Sequence, residues 1–540
     1  MPAPVLARSF ALAALLAAAA AAAAPGDAPP ESNRCAAAAG PVALGNAQWN
    51  GWGRGLDNTR YQPEPAIRAA DVPQLALKWA FGYQGSAVAG QPTIVDGRVF
   101  VASAAGRIYS LDAKTGCTYW TYDAQAGVHT AISIAELAPP KKPPKSKRIM
   151  KRKLGLAHLD VQKAPSAAFF GDDRGAVYAL DAEKGTLLWK TLVEGHPTAR
   201  IQGAPAPYQN RLYVAVASSE SSAAANSNYP CCTFRGSVAA LDIANGQVLW
   251  KTYTVNEDPR PYRKSAAGIQ EFGPAGVPIQ ASPTIDTGRG LLYVTTGKSY
   301  TGIEQPLANA VAAFGLEDGK LRWAKPLARP EAGAAAEFES SPILRTLASG
   351  KQVILAGQLS GFVYGLDPDR AGEILWQVKV ADGKNAGGVE WGAAADHHSL
   401  YVAISGLAAE PQEMSGSLTA LDMKTGAKRW QTLAPTPMCS WGEQGCAHAQ
   451  AQAVTVIPGV AFSGSMDGHL RAYSTIDGKI LWDYETAKDF VTVNRVKASG
   501  GSLDQGGATI VNGVIYVNSG YGLRIGQPGN VLLAFSVAGK

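Results

Sequence analysis

Two adjacent cysteines, Cys231 and Cys232, followed by Phe234 and Arg235, are the residues whose types and spacing most suggest chemistry in this chain. Neighbouring thiols can bond to each other in a strained small ring, pair with cysteines elsewhere, or stay reduced. The residues alone leave these three states open. A function is therefore sought around this pair.

The same stretch continues into a unit that recurs along the chain and must position the cysteines. In GSVAALDIANGQVLW, residues 236–250, apolar residues alternate with period two on both sides of a turn, which predicts strand, turn and strand. The Asp at the end of the first strand can accept bonds from the following amides, and the Gly before the second strand supplies a positive φ. Similar units end at Trp120, Trp189, Trp323, Trp376, Trp430 and Trp482.

These tryptophans, with Trp250 and with Trp79 at the end of a first strand, give eight units. Most units follow another pair of short strands, so four strands recur every roughly 40–70 residues, which is typical of propeller blades. We therefore predict an all-β fold, an eight-bladed β-propeller with an indole between neighbouring sheets. A β-solenoid is the other candidate, but its repeats would be shorter and more uniform. The strands at 530–537 and 75–81 are expected to complete one blade and close the ring.

Composition indicates an exported globular protein. Residues 1–24 contain Arg8, an apolar run and terminal small residues, which predict a signal peptide rather than a membrane anchor. Residues 25–47 are expected to form a flexible leader, and residues 48–540 the propeller. No later stretch is long and apolar enough to suggest a transmembrane segment, and the net charge of +6 does not indicate a nucleic-acid partner. The expected location is periplasmic or secreted.

In an exported chain the six cysteines favour disulfides. Cys439 and Cys446 lie a few residues apart around Trp441 and are predicted to form a loop disulfide. Cys35 and Cys117 remain and can pair with each other. Because alanines follow Cys35 instead of the C-x-x-C-H motif, we expect no haem c on this chain.

A basic insertion, PPKKPPKSKRIMKRK, spans residues 139–153 and holds eight Lys or Arg and four prolines without an acid. Its composition predicts an extended, solvated loop. The alternative is a docking patch for an anionic partner or surface.

Several stretches resemble the pyrroloquinoline quinone (PQQ)-dependent alcohol dehydrogenases, and within them the polyvinyl alcohol dehydrogenase branch. The stretches are QWNGWG at 48–53, YPCCTFRGSVAALD at 229–242, GGVEWG at 387–392, the run 445–473, and VNSGYG with PGNVLLAFS within 517–536. The resemblance covers roughly residues 48–540, since the propeller units themselves belong to it.

In this family the quinone lies on the propeller axis between a vicinal disulfide and a tryptophan floor, beside a Ca²⁺ and a catalytic aspartate. The resemblance implies a Cys231–Cys232 disulfide over the cofactor, with Arg235 as a basic contact and Glu220 as a metal ligand. It also implies cofactor contacts at Thr130 and Trp391, and at His129, which stands where the family has an arginine.

Other positions depart from the family. Gln280 stands where the floor tryptophan is expected, and Lys298 with Ser299 stands where a calcium-binding asparagine is expected. A lysine beside a cation site is unfavourable, so Ser299 is left as a weak ligand candidate. The catalytic aspartate is missing after Trp323, and the nearest acids are Glu337 and Glu339.

These departures favour a non-catalytic or repurposed propeller that binds a small molecule, a polymer or a partner protein in its axial funnel, with PQQ and Ca²⁺ binding weak or lost. The alternative is an active PQQ-dependent alcohol dehydrogenase. It would oxidise alcohols or a hydroxylated polymer such as polyvinyl alcohol, use Glu337 or Glu339 as base, and pass electrons to a separate cytochrome c. A third hypothesis is an outer-membrane assembly propeller, although no Cys follows the expected cleavage site for lipidation.

Overall fold

The computed structural model describes residues 32–38, 40–45, 48–137, 165–327, 336–381, 388–405, 416–436, 439, 442, 446–522 and 526–539. These residues form eight antiparallel sheets, seven of four strands and one of five, with two further two-stranded hairpins. The inner strands of neighbouring sheets contact one another, so the sheets surround a central axis as blades. The predicted eight-bladed β-propeller is confirmed.

The strands of each blade run from the axis outward in chain order for blades 1 to 7. Blade 1 contains Thr93–Val95, Arg98–Ala102, Arg107–Asp112 and Thr118–Asp123. Blade 2 contains Ser133–Glu136, Ser166–Gly171, Ala176–Asp181 and Leu187–Leu192. Blade 3 contains Ala206–Tyr208, Arg211–Ser218, Ser237–Asp242 and Val248–Tyr253, with Ala199–Arg200 added to its second strand. Blade 4 contains Thr284–Asp286, Leu291–Thr295, Ala310–Gly315 and Leu321–Pro326.

Blade 5 contains Ile343–Thr346, Gln352–Gly357, Phe362–Asp367 and Glu373–Lys379. Blade 6 contains Ala394–Ala395, Ser399–Ile404, Ser417–Asp422 and Lys428–Leu433. Blade 7 contains Thr455–Ile457, Val460–Gly464, His469–Ser474 and Ile480–Glu485. The hairpins are Arg260–Lys264 with Gln270–Gly273, and Asp489–Phe490 with Ala498–Ser499. Helical turns occur at Ala69–Gln74, Glu220–Ala223 and Pro368–Arg370.

Blade 8 joins the two ends of the chain. Its strands, from the axis outward, are Thr509–Val511, Val514–Ser519, Val531–Val537 and Leu75–Gly82. The outermost strand pairs antiparallel with its neighbour from Leu75 opposite Val537 to Gly82 opposite Val531. The expected closure of the ring by these two segments is observed.

Each outermost strand also carries a tryptophan that docks on the next blade. The Trp189 indole N–H donates to the Ile243 carbonyl at 3.1 Å, and a Cβ at Gly246 would lie 2.5 Å from its ring. Gly246 also has φ 74°, so both the turn and the indole require glycine there. The same indole bond to the next blade is made by Trp79, Trp120, Trp250, Trp376, Trp430 and Trp482.

Part of the segment that composition assigns to a leader packs on blade 1. A disulfide joins Cys35 to Cys117, and the Cys35 amide donates to the Thr118 carbonyl at 3.0 Å. Further along, the buried Val42 accepts a bond from the Ser166 hydroxyl at 2.7 Å. A disulfide and an apolar anchor therefore fix residues whose composition alone suggests a flexible chain.

Residues 49–62, which we call the channel segment, then run through the centre of the ring. Trp49 pairs with Ile94 of blade 1 in both directions, at 2.8 and 2.9 Å, and the Gln62 side chain donates to Ile510 of blade 8 at 2.9 Å. Between these ends the segment bonds inner-strand residues Ile134, Ile285, Leu344, Ala395 and Val456 in blade order. Within the described residues only blade 3 lacks such a bond. The segment therefore fills the axis on the side away from the loops that precede the inner strands.

Residues 1–24 and 139–153, for which we predict a signal peptide and a basic loop, lie outside the described residues. None of the helices in the described ranges has the length and hydropathy needed to cross a membrane.

Candidate functional site

A cavity of about 130 Å³ lies on the axis where the inner strands begin. Small-molecule and cofactor sites are usually concave and are lined by apolar and aromatic side chains with a few polar groups. The repeat brings one residue per blade to this level, four positions before the first residue of the inner strand. These residues are Ala89, His129, Gln202, Gln280, Glu339, Glu390, Ala451 and Gln505.

Six of the eight, all but Glu390 and Ala451, line the cavity, and in blade 6 the next residue, Trp391, does so instead. The predicted site residues His129, Gln280, Glu339 and Trp391 therefore meet on one wall although they are far apart in sequence. The ring repeat, rather than any local motif, brings them together.

Two indoles contribute flat apolar surface to this axial cavity. Trp52 comes from the channel segment and Trp391 from the loop before blade 6. The Trp391 indole Nε1 is buried and has no hydrogen-bond partner among the described residues. A buried N–H donor is costly when unpaired, so this atom is suited to a ligand acceptor. Gln280 does not supply the tryptophan floor, but the cavity has indoles from two other elements.

Basic side chains also lie on two sides of the cavity. The His129 ring nitrogen Nε2 lies 3.2 Å from the Asp173 carboxylate, and Arg200 ends the short strand added to blade 3. Below the wall lies Arg60 of the channel segment, whose guanidinium is 4.7 Å from the Trp52 ring centre. Burial lowers the pKa of Arg60 to about 9, so the side chain remains cationic at neutral pH.

The two candidate acids occupy different places. Phe338, which lies between them in sequence, is fully buried in the core. Glu339 lines the cavity, whereas the Glu337 carboxylate lies 2.6 Å from the ammonium of the half-exposed Lys298. Burial, together with the nearby Glu337 charge, raises the pKa of Tyr300, so its hydroxyl stays protonated at neutral pH. Glu339 is therefore the acid that a ligand in the cavity can meet.

The cysteine pair lies in a loop that three contacts hold. Cys231 and Cys232 are bonded to each other, which confirms the vicinal disulfide. The Cys232 amide donates to the Phe272 carbonyl at 3.2 Å, and the Phe272 amide donates to the Cys231 carbonyl at 2.8 Å. The hairpin Arg260–Lys264 with Gln270–Gly273 thus pairs with the disulfide loop. Neither cysteine is among the residues that line the axial cavity.

Glu220 holds the same loop from within. Its fully buried carboxylate accepts hydrogen bonds from the Thr233 amide at 2.8 Å, the Phe234 amide at 2.9 Å and the Tyr229 hydroxyl at 3.1 Å. His196 lies 3.7 Å from the same carboxylate. Both carboxylate oxygens are therefore already used by the protein.

A calcium ion does not fit this arrangement. The Ser299 hydroxyl is buried and lacks a partner among the described residues, but both Glu220 carboxylate oxygens already accept hydrogen bonds from the disulfide loop. No group of three or more His, Cys, Asp or Glu side chains in the described ranges is placed to hold a metal ion. Ca²⁺ prefers six to eight oxygen ligands, which these residues do not assemble.

Two predicted cofactor contacts point elsewhere. Arg235 pairs with Asp258 at 2.8 Å and its guanidinium lies 4.0 Å from the centre of the Tyr253 ring. The buried Thr130 hydroxyl accepts from the Gly171 amide at 3.2 Å and so connects strands within blade 2. Both side chains have structural partners outside the cavity.

Among the residues of the site that the sequence did not predict are Trp52, Arg60 and Arg200. Trp52 belongs to the QWNGWG stretch used for the family resemblance, but its place on the axis depends on the path of the channel segment. Arg200 lies on a two-residue strand without a repeat signature. No local signal could have assigned either residue to the cavity.

The other two disulfides have the pairings that the sequence analysis gave. Cys439 is bonded to Cys446 as predicted, and Cys35 to Cys117. All six cysteines are therefore paired.

Residues 49–381 match the family model described as glucose/ethanol/alcohol dehydrogenase, β-propeller domain, and residues 359–522 match the model for outer membrane protein assembly factor BamB. Polyvinylalcohol dehydrogenase from Pseudomonas sp. is 42% identical across 95% of this chain and 80% of its own length. The enzyme of the same name from Sphingopyxis sp. (strain 113P3) is 39% identical across the same shares. Quinohemoprotein alcohol dehydrogenase ADHIIG from Pseudomonas putida HK5 has a similar structure, with TM-score 0.65 and 17% identity over 92% of this chain and 81% of that one. Because the dehydrogenase model covers more than half of the chain and both polyvinylalcohol dehydrogenases match nearly all of it, the chain belongs to the PQQ-dependent alcohol dehydrogenase family.

Proposed function

We propose that this protein is an active PQQ-dependent dehydrogenase that oxidises the secondary alcohols of a hydroxylated polymer such as polyvinyl alcohol. The names of the two relatives above 30% identity support the substrate class. The observation that carries the proposal is the axial cavity, which combines two indoles, cationic side chains and one carboxylate. This reading replaces the non-catalytic propeller that the sequence departures favour.

The cavity suits PQQ, which is planar and carries several carboxylates. Trp52 and Trp391 offer faces on which a flat ring can stack, and the unpaired Trp391 indole N–H can donate to an acceptor on it. Arg200 and His129 can bind carboxylates. When bound, PQQ would supply the two-electron oxidant for the alcohol.

Glu339 is proposed as the general base. Oxidation of a secondary alcohol to a ketone releases two protons and two electrons, and the hydroxyl proton needs an acceptor beside the oxidant. Glu339 lines the cavity, while Glu337 is held by Lys298 at the rim. A separate cytochrome c would accept the two electrons.

No step is assigned to calcium, because Glu220 is occupied by the disulfide loop. The three disulfides favour an oxidising compartment, and we propose that the protein is periplasmic or secreted. The basic segment 139–153, outside the described residues, remains a candidate docking site for an anionic partner.

The test is a dye-reduction assay with purified protein, PQQ, and either polyvinyl alcohol or pentane-2,4-diol as a short model of it. We expect turnover with both substrates. Glu339→Gln should lower kcat about 10²–10⁴-fold, because general-base catalysis contributes about that factor. Glu337→Gln, which keeps the shape and lies two residues away, should retain most activity.

Absence of turnover in the wild type under saturating PQQ would overturn the proposal. Equal loss in both variants would remove Glu339 from the role of base.

The second candidate remains a binding propeller without turnover. The Glu220 carboxylate, which binds the disulfide loop, and the Lys298–Glu337 ion pair favour it, because both differ from a metal-assisted dehydrogenase site. Tight binding of polyvinyl alcohol without dye reduction would support this candidate.

A further inference from the structure

Arg60 of the channel segment is a fully buried cation on the propeller axis, 1% exposed. Its guanidinium Nε donates to the Val454 carbonyl at 2.7 Å, and Nη2 donates to the Thr455 hydroxyl at 3.0 Å. Nη1 donates to the Trp52 carbonyl at 2.8 Å and to the Gln91 amide oxygen at 2.7 Å. All four acceptors are neutral.

No carboxylate in the described part of the chain pairs with Arg60. A buried charge is costly unless it is both hydrogen-bonded and paired with an opposite charge. Four of the five N–H groups of the Arg60 guanidinium donate to neutral acceptors, so its positive charge is not paired with an acid among the described residues.

This charge lies directly beneath the axial cavity. Two of its partners, Trp52 and Gln91, are themselves cavity-lining residues, and the guanidinium lies against the Trp52 ring. Gly507 leaves room for it, since a Cβ there would lie 2.3 Å from Nη2. Only one layer of side chains separates the cation from a ligand in the cavity.

We propose that Arg60 is the built-in countercharge for an anionic ligand of the axial cavity, and that the ligand is a planar aromatic polycarboxylate. The inference rests on the proposed function in that PQQ belongs to this class, and it adds the channel segment to the binding site. Arg60 is a positioning residue: it acts on the ligand through the electric field and through Gln91 and Trp52. Its charge holds the ligand's negative end toward the floor, because the field is strong where water is excluded.

The test adds an anion next to Arg60 without removing Arg60. In Gln91→Glu the new carboxylate takes the place of the amide that Arg60 already bonds. We expect a higher melting temperature of the ligand-free protein, because the buried charge is now paired. We also expect binding of PQQ to weaken more than about tenfold, a loss typical of a charged hydrogen-bonding partner.

Two matched variants separate charge from contact. Gln91→Leu removes the hydrogen bond without adding charge and should lower the melting temperature. Gln280→Glu adds the same charge to the cavity wall away from Arg60, so it should weaken binding without raising the melting temperature. An unchanged or lower melting temperature for Gln91→Glu, or equal affinity losses for Gln91→Glu and Gln91→Leu, would overturn the role of Arg60.

Binding calorimetry with two probes distinguishes a failure of the proposed role of Arg60 from a failure of the proposed function. The probes are PQQ and benzene-1,3,5-tricarboxylate, which is planar and anionic but has no quinone. If only the tricarboxylate binds, and Gln91→Glu abolishes its binding, the role of Arg60 stands and the proposed function fails. If PQQ binds the wild type and Gln91→Glu equally well, the proposed function stands and the role of Arg60 fails. If neither probe binds the wild type, both fail.

Discussion

At the scale of single residues, several side chains have the residue type expected for the site but a different role in the structure. Glu220 has the chemistry of a metal ligand, yet two backbone amides use its carboxylate to hold the loop of Cys231 and Cys232. Arg235 has the chemistry of a cofactor contact, yet it pairs with Asp258. The sequence shows which side chains are capable of a role, and the direction each one faces depends on neighbours from other segments.

Glu339 and Gln280 illustrate the opposite case. The repeat fixes the position that faces the axis in every blade, so residues at that position could be assigned to the cavity from sequence. Trp52 and Arg60 could not, because their placement depends on where the channel segment enters the ring.

The blade 7 ion cluster makes a residue-scale prediction about pH. The His469 ring lies 2.6 Å from Asp483, which also binds Arg471 at 2.9 Å. Burial lowers the pKa of His469, but the hydrogen bond to Asp483 and the charges of Asp467 and Asp483 outweigh it, so the pKa is raised. A raised pKa in the folded state stabilises the fold fully below the unfolded value of about 6.5, and this contribution is lost as the pH rises through the folded pKa.

His469→Gln should therefore melt below the wild type at pH 5.5, and the difference should shrink as the pH rises above about 6.5. The measurement is the melting temperature of both proteins across this range. Parallel curves would mean that His469 does not titrate with folding.

At the scale of the structural element, the turn between the two outer strands of a blade meets two structural requirements. Its glycine allows the positive φ, and its missing Cβ leaves space for the indole of the preceding blade. The sequence predicted the first requirement from the Asp and Gly spacing. The second could only be inferred generally, because the distance between blades is not encoded in one repeat.

Gly246→Ala separates these two requirements when it is compared with Gly97→Ala. Gly246 has φ 74° and a Cβ there would lie 2.5 Å from Trp189, whereas Gly97 has φ 70° and no atom within 4 Å of a built Cβ. We expect Gly97→Ala to cost about 1–2 kcal/mol for the left-handed backbone. Gly246→Ala should cost about 1–3 kcal/mol more, for displacement of the indole. Urea unfolding measures both, and equal losses would show that the indole moves freely.

At the scale of the whole molecule, stability depends on the pairing of the two ends in blade 8. The strand Val531–Val537 is the middle partner between Val514–Ser519 and Leu75–Gly82. Without it the outermost strand has no neighbour, and the ring has an open edge.

Ending the chain at residue 530 should therefore yield protein that aggregates and is cleaved rapidly by a protease. Removal of residues 539–540 alone, which leaves this strand intact, should have little effect. Size-exclusion chromatography and limited proteolysis report both outcomes. A monodisperse, protease-resistant product from the shorter chain would refute the role of this closure.

The path of the channel segment has a consequence for biogenesis. The ribosome makes residues 49–62 before any of the blades, but Ile510, the partner of Gln62, follows it 448 residues later. The segment cannot find all its partners while the chain is still emerging, so the axis can be completed only after blade 8 has been synthesised. Such sequence-distant contacts form slowly, so the unfolded chain persists for a long interval before the axis is complete.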